Sequence, residues 1–158
     1  AAAHAVGADL GQAAARLDGR GPASPHRMDI SERDGLTVID DAYNANPDSV
    51  AAALAALVRI AAGRRTVAVL GEMRELGEVS RAEHVAVGER ARELGVDELV
   101  VMGEGAEPIA RAFSGARYAA DLDGVRAELD DLAAPGDVVL FKASNGTGLW
   151  RLAEGWRT

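Results

Sequence analysis

Two kinds of block alternate along the chain. Short β-branched runs stand at HRMDIS (26–31), LTVIDD (36–41), TVAVLG (66–71), ELVVMG (98–103) and DVVLFKAS (137–144), with a weaker RYAA at 117–120. Runs of this length and composition, bounded by turn residues, predict strands. Between them lie stretches with helical spacing. Asn46-Pro47-Asp48 opens one, because Asn caps, Pro tolerates the first helical position and the acid suits the dipole. Leu54, Leu57, Val58 and Ile60 form its apolar face, and Gly63 ends it. Ser80-Arg81-Ala82-Glu83 has the spacing of a capping box for a second helix, closed by Gly95. Further helices are expected over 106–113, 122–132 and 147–155. Strands alternating with helices at these lengths, and continuously apolar rather than alternating, predict an α/β domain. Its sheet is mostly parallel, of about six strands, with helices on both faces.

Residues 1–19 predict one more helix, stopped near Gly19, and the segment from Gly21 to Pro25, with two prolines, reads as a linker. This helix is expected to belong to a preceding module. The domain proper is then 22–158.

Composition narrows the chemistry. The chain has 158 residues and a net charge of −8, which argues against a nucleic-acid partner. There are no cysteines, so disulfides, thiolate zinc sites and cysteine nucleophiles are excluded. The three histidines lack ligand spacing, and His84 inside a helix reads as a packed or surface side chain. No apolar run reaches the roughly 18 residues of a membrane span, so no membrane insertion is expected. The first ten residues also lack the layout of a signal peptide. Lys142 is the single lysine among 17 basic residues. With no G-x-x-x-x-G-K-[ST], the chain holds no phosphate-binding loop of that type, and no G-x-S-x-G elbow is present either.

Three polar clusters follow strands, where open parallel sheets bind ligands. They are Asp40-Asp41-Ala42-Tyr43-Asn44-Ala45-Asn46-Pro47, Gly71-Glu72-Met73-Arg74-Glu75-Leu76-Gly77-Glu78, and Lys142-Ala143-Ser144-Asn145-Gly146-Thr147-Gly148. Carboxylates there can accept from a ribose or an amine, and the lysine and loop amides can hold an anion. Each cluster also has a plain reading: Asp40-Asp41 as a solvated turn, Asn46 as a cap, the acids after Gly71 as surface charge, the glycines as turn formers. Gly103-Glu104-Gly105 is a weak match to a dinucleotide loop, because Pro108 falls where a third glycine belongs.

Taken in order, HRMDI (26–30), IDDAYNANPDSV (39–50), VLGEMRELGE (69–78) with EHVAVG (83–88), and VVLFKASN (138–145) resemble the C-terminal domain of the Mur ligases. The DDxYNANP and LGxMxELGE strings point to the branch that adds D-alanyl-D-alanine. The resemblance covers residues 22–158 and implies a Rossmann-like fold, with residues 1–21 ending a central ATPase domain. It further implies a cytoplasmic, monomeric enzyme of peptidoglycan precursor synthesis. Such enzymes use ATP and Mg2+ to turn the terminal carboxylate of UDP-N-acetylmuramoyl tripeptide into an acyl phosphate, which the amine of D-alanyl-D-alanine attacks. The phosphate-binding loop and magnesium ligands belong to the central domain, so this chain holds no metal and is inactive alone. Its partners are the N-terminal and central domains of the same polypeptide.

By the same resemblance Arg27 reaches ATP phosphate, Asp41 meets the ribose, and Tyr43, Asn44 and Asn46 line that loop. Glu72, Met73 and Glu75 are expected beside the acceptor dipeptide. Lys142 and Ser144 match the start of a KGSR string facing the acceptor carboxylate, Arg27 and Lys142 being the candidate catalytic residues. Asn145 replaces the string's arginine and removes a bidentate clamp. Two rivals remain open: another Mur-like amide ligase, and a non-catalytic Rossmann-like binding module.

Overall fold

The computed structural model describes residues 25–156, so the helix expected over 1–19 lies outside the described residues. The first strand, β1 (Asp29–Arg33), turns back into β2 (Leu36–Asp40) through Asp34-Gly35, at φ 49° and 78°. Two consecutive positive φ values match the right-handed twist of a hairpin, and Asp-Gly is the pair that supplies them. β1 is therefore antiparallel to its neighbour. It starts three residues later than the sequence pattern predicts, because 26–28 fold into a turn.

The remaining elements are α1 (Pro47–Ala61), β3 (Thr66–Gly71), α2 (Ser80–Glu93), β4 (Glu98–Met102), α3 (Glu107–Ala112), β5 (Arg117–Ala119), α4 (Leu122–Leu132), β6 (Val138–Lys142) and α5 (Leu149–Gly155). The strand order is β1-β2-β6-β3-β4-β5, with all pairs but the first parallel. The last strand thus inserts between β2 and β3, and the connections divide the helices between the two faces.

Alternation along each strand sends side chains to opposite faces. Ile39, Ala68, Leu70, Leu99, Val101, Val138 and Leu140 pack in one layer with Leu54 and Leu57 of α1, Val87 of α2 and Ile109 of α3. Leu36, Val38, Val67, Val69, Val100, Val139 and Phe141 pack in the other with Val125 and Leu129 of α4 and Leu152 and Trp156 of the C-terminal helix and its end. The central strands are buried on both sides, as their unbroken apolar sequence requires. Each fully buried Val, Leu, Ile or Phe among them contributes about 1.5–3 kcal/mol by leaving water.

A cap sets where α1 begins. Asn46 precedes α1 with extended backbone and accepts from Ser49 N (2.8 Å), while Ser49 Oγ accepts from Asn46 N (3.0 Å). The capping box expected at Ser80 is absent. Ser80 is already helical, continuing from a 3-10 turn over Gly77–Val79 that occupies the place of a cap. Among the described residues no helix is long and apolar enough to cross a membrane.

At the strand ends opposite the polar clusters, Thr66 donates from N and Oγ1 to one Asp97 oxygen, both at 2.8 Å, and Asp97 N returns a bond to Thr66 Oγ1. The backbone and hydroxyl donors of Thr66 hold the Asp97 carboxyl below its ordinary value of 3.8. A depressed carboxyl contributes stability present above its unfolded pKa and lost as pH falls through its folded one. Thermal melts should accordingly show Asp97→Asn below the unaltered chain at pH 7. The gap should shrink as the pH drops beneath 3.8; a gap independent of pH would contradict the assignment.

Candidate functional site

All five parallel strands end at one edge, so the segments 41–46, 72–79, 103–106, 120–121 and 143–148 meet there. Several concavities open among them, two of which bear on the site.

The first, about 310 Å³, is lined by Arg27, Asp41, Tyr43, Asn44, Asn46, Ser49 and Lys142. Every residue expected to face the nucleotide is in this set. Lys142 ends β6 on the α1 side and is 2% exposed. Its ammonium pairs with Asp41 Oδ2 at 2.8 Å and donates to the carbonyls of Asn44 (2.6 Å) and Asp41 (3.2 Å). That uses all three donors of the ammonium. Lys142 therefore shapes the 41–44 turn from beneath, on the same side as the nucleotide-facing residues and away from the loop holding Glu72. Asp41 Oδ1 accepts from Met28 N at 3.1 Å. A carboxylate offers about four acceptor sites, so Asp41 keeps capacity for a further donor. The Arg27 guanidinium lies 4.3 Å from the centre of the Tyr43 ring, both residues being exposed. With the α1 N-terminus alongside, the cavity suits an anion bonded to a polar, ring-bearing group.

The second concavity, about 510 Å³, is lined by Glu72, Arg74, Met102, Gly103, Ala120, Asp121, Leu122, Asp123 and Thr147. One guanidinium faces three carboxylates. Arg74 Nε meets Glu72 Oε2 at 3.3 Å, a half-exposed pair worth under about 1 kcal/mol. Two glycines make room for these side chains. A Cβ on Gly105 would strike the Glu72 carboxylate, and one on Gly146 would strike the Arg74 guanidinium. Asp121 also caps α4, accepting from Gly124 N at 2.9 Å.

Ser144, buried between the cavities, ties three loops. Its N donates to Glu72 O (3.0 Å), its Oγ accepts from Arg74 N (2.9 Å) and lies 3.5 Å from Ala45 O. The 72–76 loop is held from below by His84, fully buried. His84 Nε2 accepts from Met73 N (3.0 Å) and Nδ1 donates to Ser80 O (2.7 Å), which fixes the tautomer. Met73 is itself buried at 1% and anchors the loop; Glu75 (φ 68°) and Asn145 are exposed at its rim and on the neighbouring turn.

Sequence reasoning passed over Arg74, Asp121 and Asp123. Arg74 was legible only as one residue of a charged string, while Asp121 and Asp123 follow the weakest strand, where no motif flags them. Among the described residues no group of three or more His, Asp or Glu is placed to hold a metal.

The family model described as Mur ligase, glutamate ligase domain, matches residues 26–145. A UDP-N-acetylmuramoyl-tripeptide–D-alanyl-D-alanine ligase from Mycobacterium tuberculosis is 44% identical over 94% of this chain and 34% of its own length. The chain thus spans about a third of such relatives. The structure of MurF ligase from Thermotoga maritima in complex with ADP superposes with a TM-score of 0.83 at 29% identity, over 99% of this chain and 35% of that one. A MurF from Acinetobacter baumannii gives 0.83 at 27% identity, over 96% and 34%.

Lys142 is the residue the site's shape depends on. Replacing it with Met leaves the Asp41 carboxylate and two carbonyls without their cation. Denaturant melts should show a loss of about 3 kcal/mol, whereas Arg27→Ala should stay within about 0.5 kcal/mol of the unaltered chain. Equal effects of the two substitutions would contradict this division.

Proposed function

The chain belongs to the Mur ligase family, and from that premise we propose that it is the C-terminal domain of an ATP-dependent D-alanyl-D-alanine-adding ligase. In this reading residues 22–158 close over a central nucleotide-binding domain, to which residues 1–21 belong. The observation that carries it is the pairing of an anion-suited cavity with a mixed-charge one, on loops tied together by Ser144. An ADP-bound relative of the same fold agrees with it.

The reaction joins a carboxylate to an amine. A carboxylate is a poor electrophile, so phosphoryl transfer from ATP first gives an acyl phosphate and ADP. The acceptor amine then attacks the acyl carbon, and the tetrahedral intermediate collapses by breaking the bond to phosphate. Such chemistry depends mainly on positioning and charge stabilisation. Arg27 is the chain's contribution toward phosphate charge, and a guanidinium suits phosphate because its fork matches two oxygens. Asp41 and Tyr43 bound the ribose side of the same cavity, with Asn44 and Asn46 forming its wall.

In the second cavity Arg74 meets the acceptor carboxylate, supplying the guanidinium that Asn145 lacks. Glu72, Asp121 and Asp123 attract the acceptor ammonium, and a carboxylate there is a suitable acceptor for the proton the amine sheds before attack. Met73 and Ser144 hold the loop that presents Glu72 and Arg74 to that pocket, and Glu75 and Asn145 stand exposed on the adjoining turns. Lys142 acts by holding the 41–44 turn. In this reading the ligands for the magnesium belong to the central domain.

Kinetics on the ligase that carries this chain test both halves. Arg27→Ala should raise KM for ATP about tenfold or more with KM for D-alanyl-D-alanine unchanged, the loss of one charge-assisted hydrogen bond. Arg74→Ala should raise KM for the dipeptide by a similar factor and leave that for ATP alone. Unchanged values in both variants, or ATP-dependent amide formation by the isolated chain, would overturn the assignment. Diamino acids or glutamate serving better than the dipeptide would favour another ligase of the family.

A further inference from the structure

Arg27 is flanked by two non-glycine residues in the left-handed region, His26 at φ 59° and Met28 at φ 51°. L side chains disfavour that backbone, and it persists where the surroundings over-determine it. Here they do. His26 Nδ1 is 2.6 Å from Asp40 Oδ2, and the imidazole lies 5.2 Å from the Trp150 ring at 38°. His26 O accepts from Tyr43 N (3.0 Å), and Met28 N donates to Asp41 Oδ1 (3.1 Å). Asp40 is 6% exposed and its other oxygen accepts from Ala42 N at 3.1 Å.

Asp40 and Asp41 are successive residues at the end of β2, so their side chains lie on opposite faces of the sheet. The 26–28 segment is thus fastened on both: by the His26 side chain to the face carrying α5, and by the Met28 amide to the face carrying α1. Only Arg27 between them is left pointing outward, over Tyr43. Met28 packs against the core and the His26 side chain is 16% exposed against Trp150, so Arg27 is the one exposed member of the turn. His26 itself does not line the nucleotide-side cavity.

We infer that His26 is a positioning residue: its pair with Asp40 and its stack on Trp150 hold the 26–28 turn so that Arg27 stands at the cavity mouth. The inference rests on the reading of Arg27 above for what the guanidinium meets, but its geometry is independent of that reading.

The test is a double-mutant cycle in the ligase carrying this chain, with steady-state KM for ATP and kcat as readouts. His26→Ala should raise KM for ATP about fivefold, the scale of one hydrogen bond, with kcat within about twofold. His26→Asn should recover most of the loss, because Asn tolerates the left-handed region and keeps an N–H for Asp40. On an Arg27→Ala background His26→Ala should add almost nothing, since no guanidinium remains to be placed. An unchanged KM in His26→Ala, or the full fivefold increase persisting without Arg27, would overturn the inference. Should His26→Ala lose its cooperative melt, Trp150→Leu removes the ring contact with His26 while keeping an apolar side chain against the core. It should raise KM about two- to threefold by the same Arg27-dependent route, and an Arg27-independent rise there would also overturn it. An Arg27→Ala enzyme with unaltered KM for ATP would instead sink the reading of the site.

Discussion

An ammonium held at 2% exposure loses hydration worth several kcal/mol unless its partners replace every hydrogen bond it made to water. Lys142 meets that condition with one carboxylate and two backbone carbonyls, and the condition runs both ways. The 41–44 turn cannot move without stranding the charge, and Lys142 cannot reach the opposite cavity while the turn stays. One buried cation therefore fixes the shape of the anion-suited cavity. The same ion pair orients Asp41, whose remaining oxygen anchors the turn carrying Arg27. Position in the fold explains why this cation is affordable there: β6 lies inside the sheet between β2 and β3, and the turn after β2 folds over its end.

The second cavity rests on a different constraint. Glu72 and Arg74 follow β3 on a loop that Met73 anchors through His84 and that Ser144 ties to β6. Gly105 and Gly146 leave the space into which their charged ends fold. Ser144 Oγ also approaches the 41–46 segment, so one buried hydroxyl touches the loops of both cavities. Two cavities of opposite charge balance thus open on one edge of the sheet.

Much of this was legible in the residues. Continuous valine and leucine runs specify strands covered on both faces, and all six strands fall within the expected segments or overlap them. Asn46-Pro47 gave the true helix start because its chemistry is local. Ser80 misled because the spacing of a capping box does not report how the chain arrives, and here it arrives already wound. The motifs put Arg27, Asp41, Tyr43, Asn44 and Asn46 in one place, which the fold does as well. What stayed hidden depends on tertiary neighbours. The role of Lys142 follows from burial, the turn at 26–28 from its pairing with Asp40, and the place of Asp121 and Asp123 beside Glu72 from a strand order that no local pattern records.

The central claim is that one edge of this domain carries two distinct half-sites. Hydrogen exchange on the ligase that carries this chain tests it most directly. A non-hydrolysable ATP analogue should protect 26–28 and 41–46, and subsequent addition of D-alanyl-D-alanine should extend protection to 72–76 and 120–124. Protection confined to residues outside these segments, or the dipeptide protecting 41–46 and sparing 72–76, would contradict it.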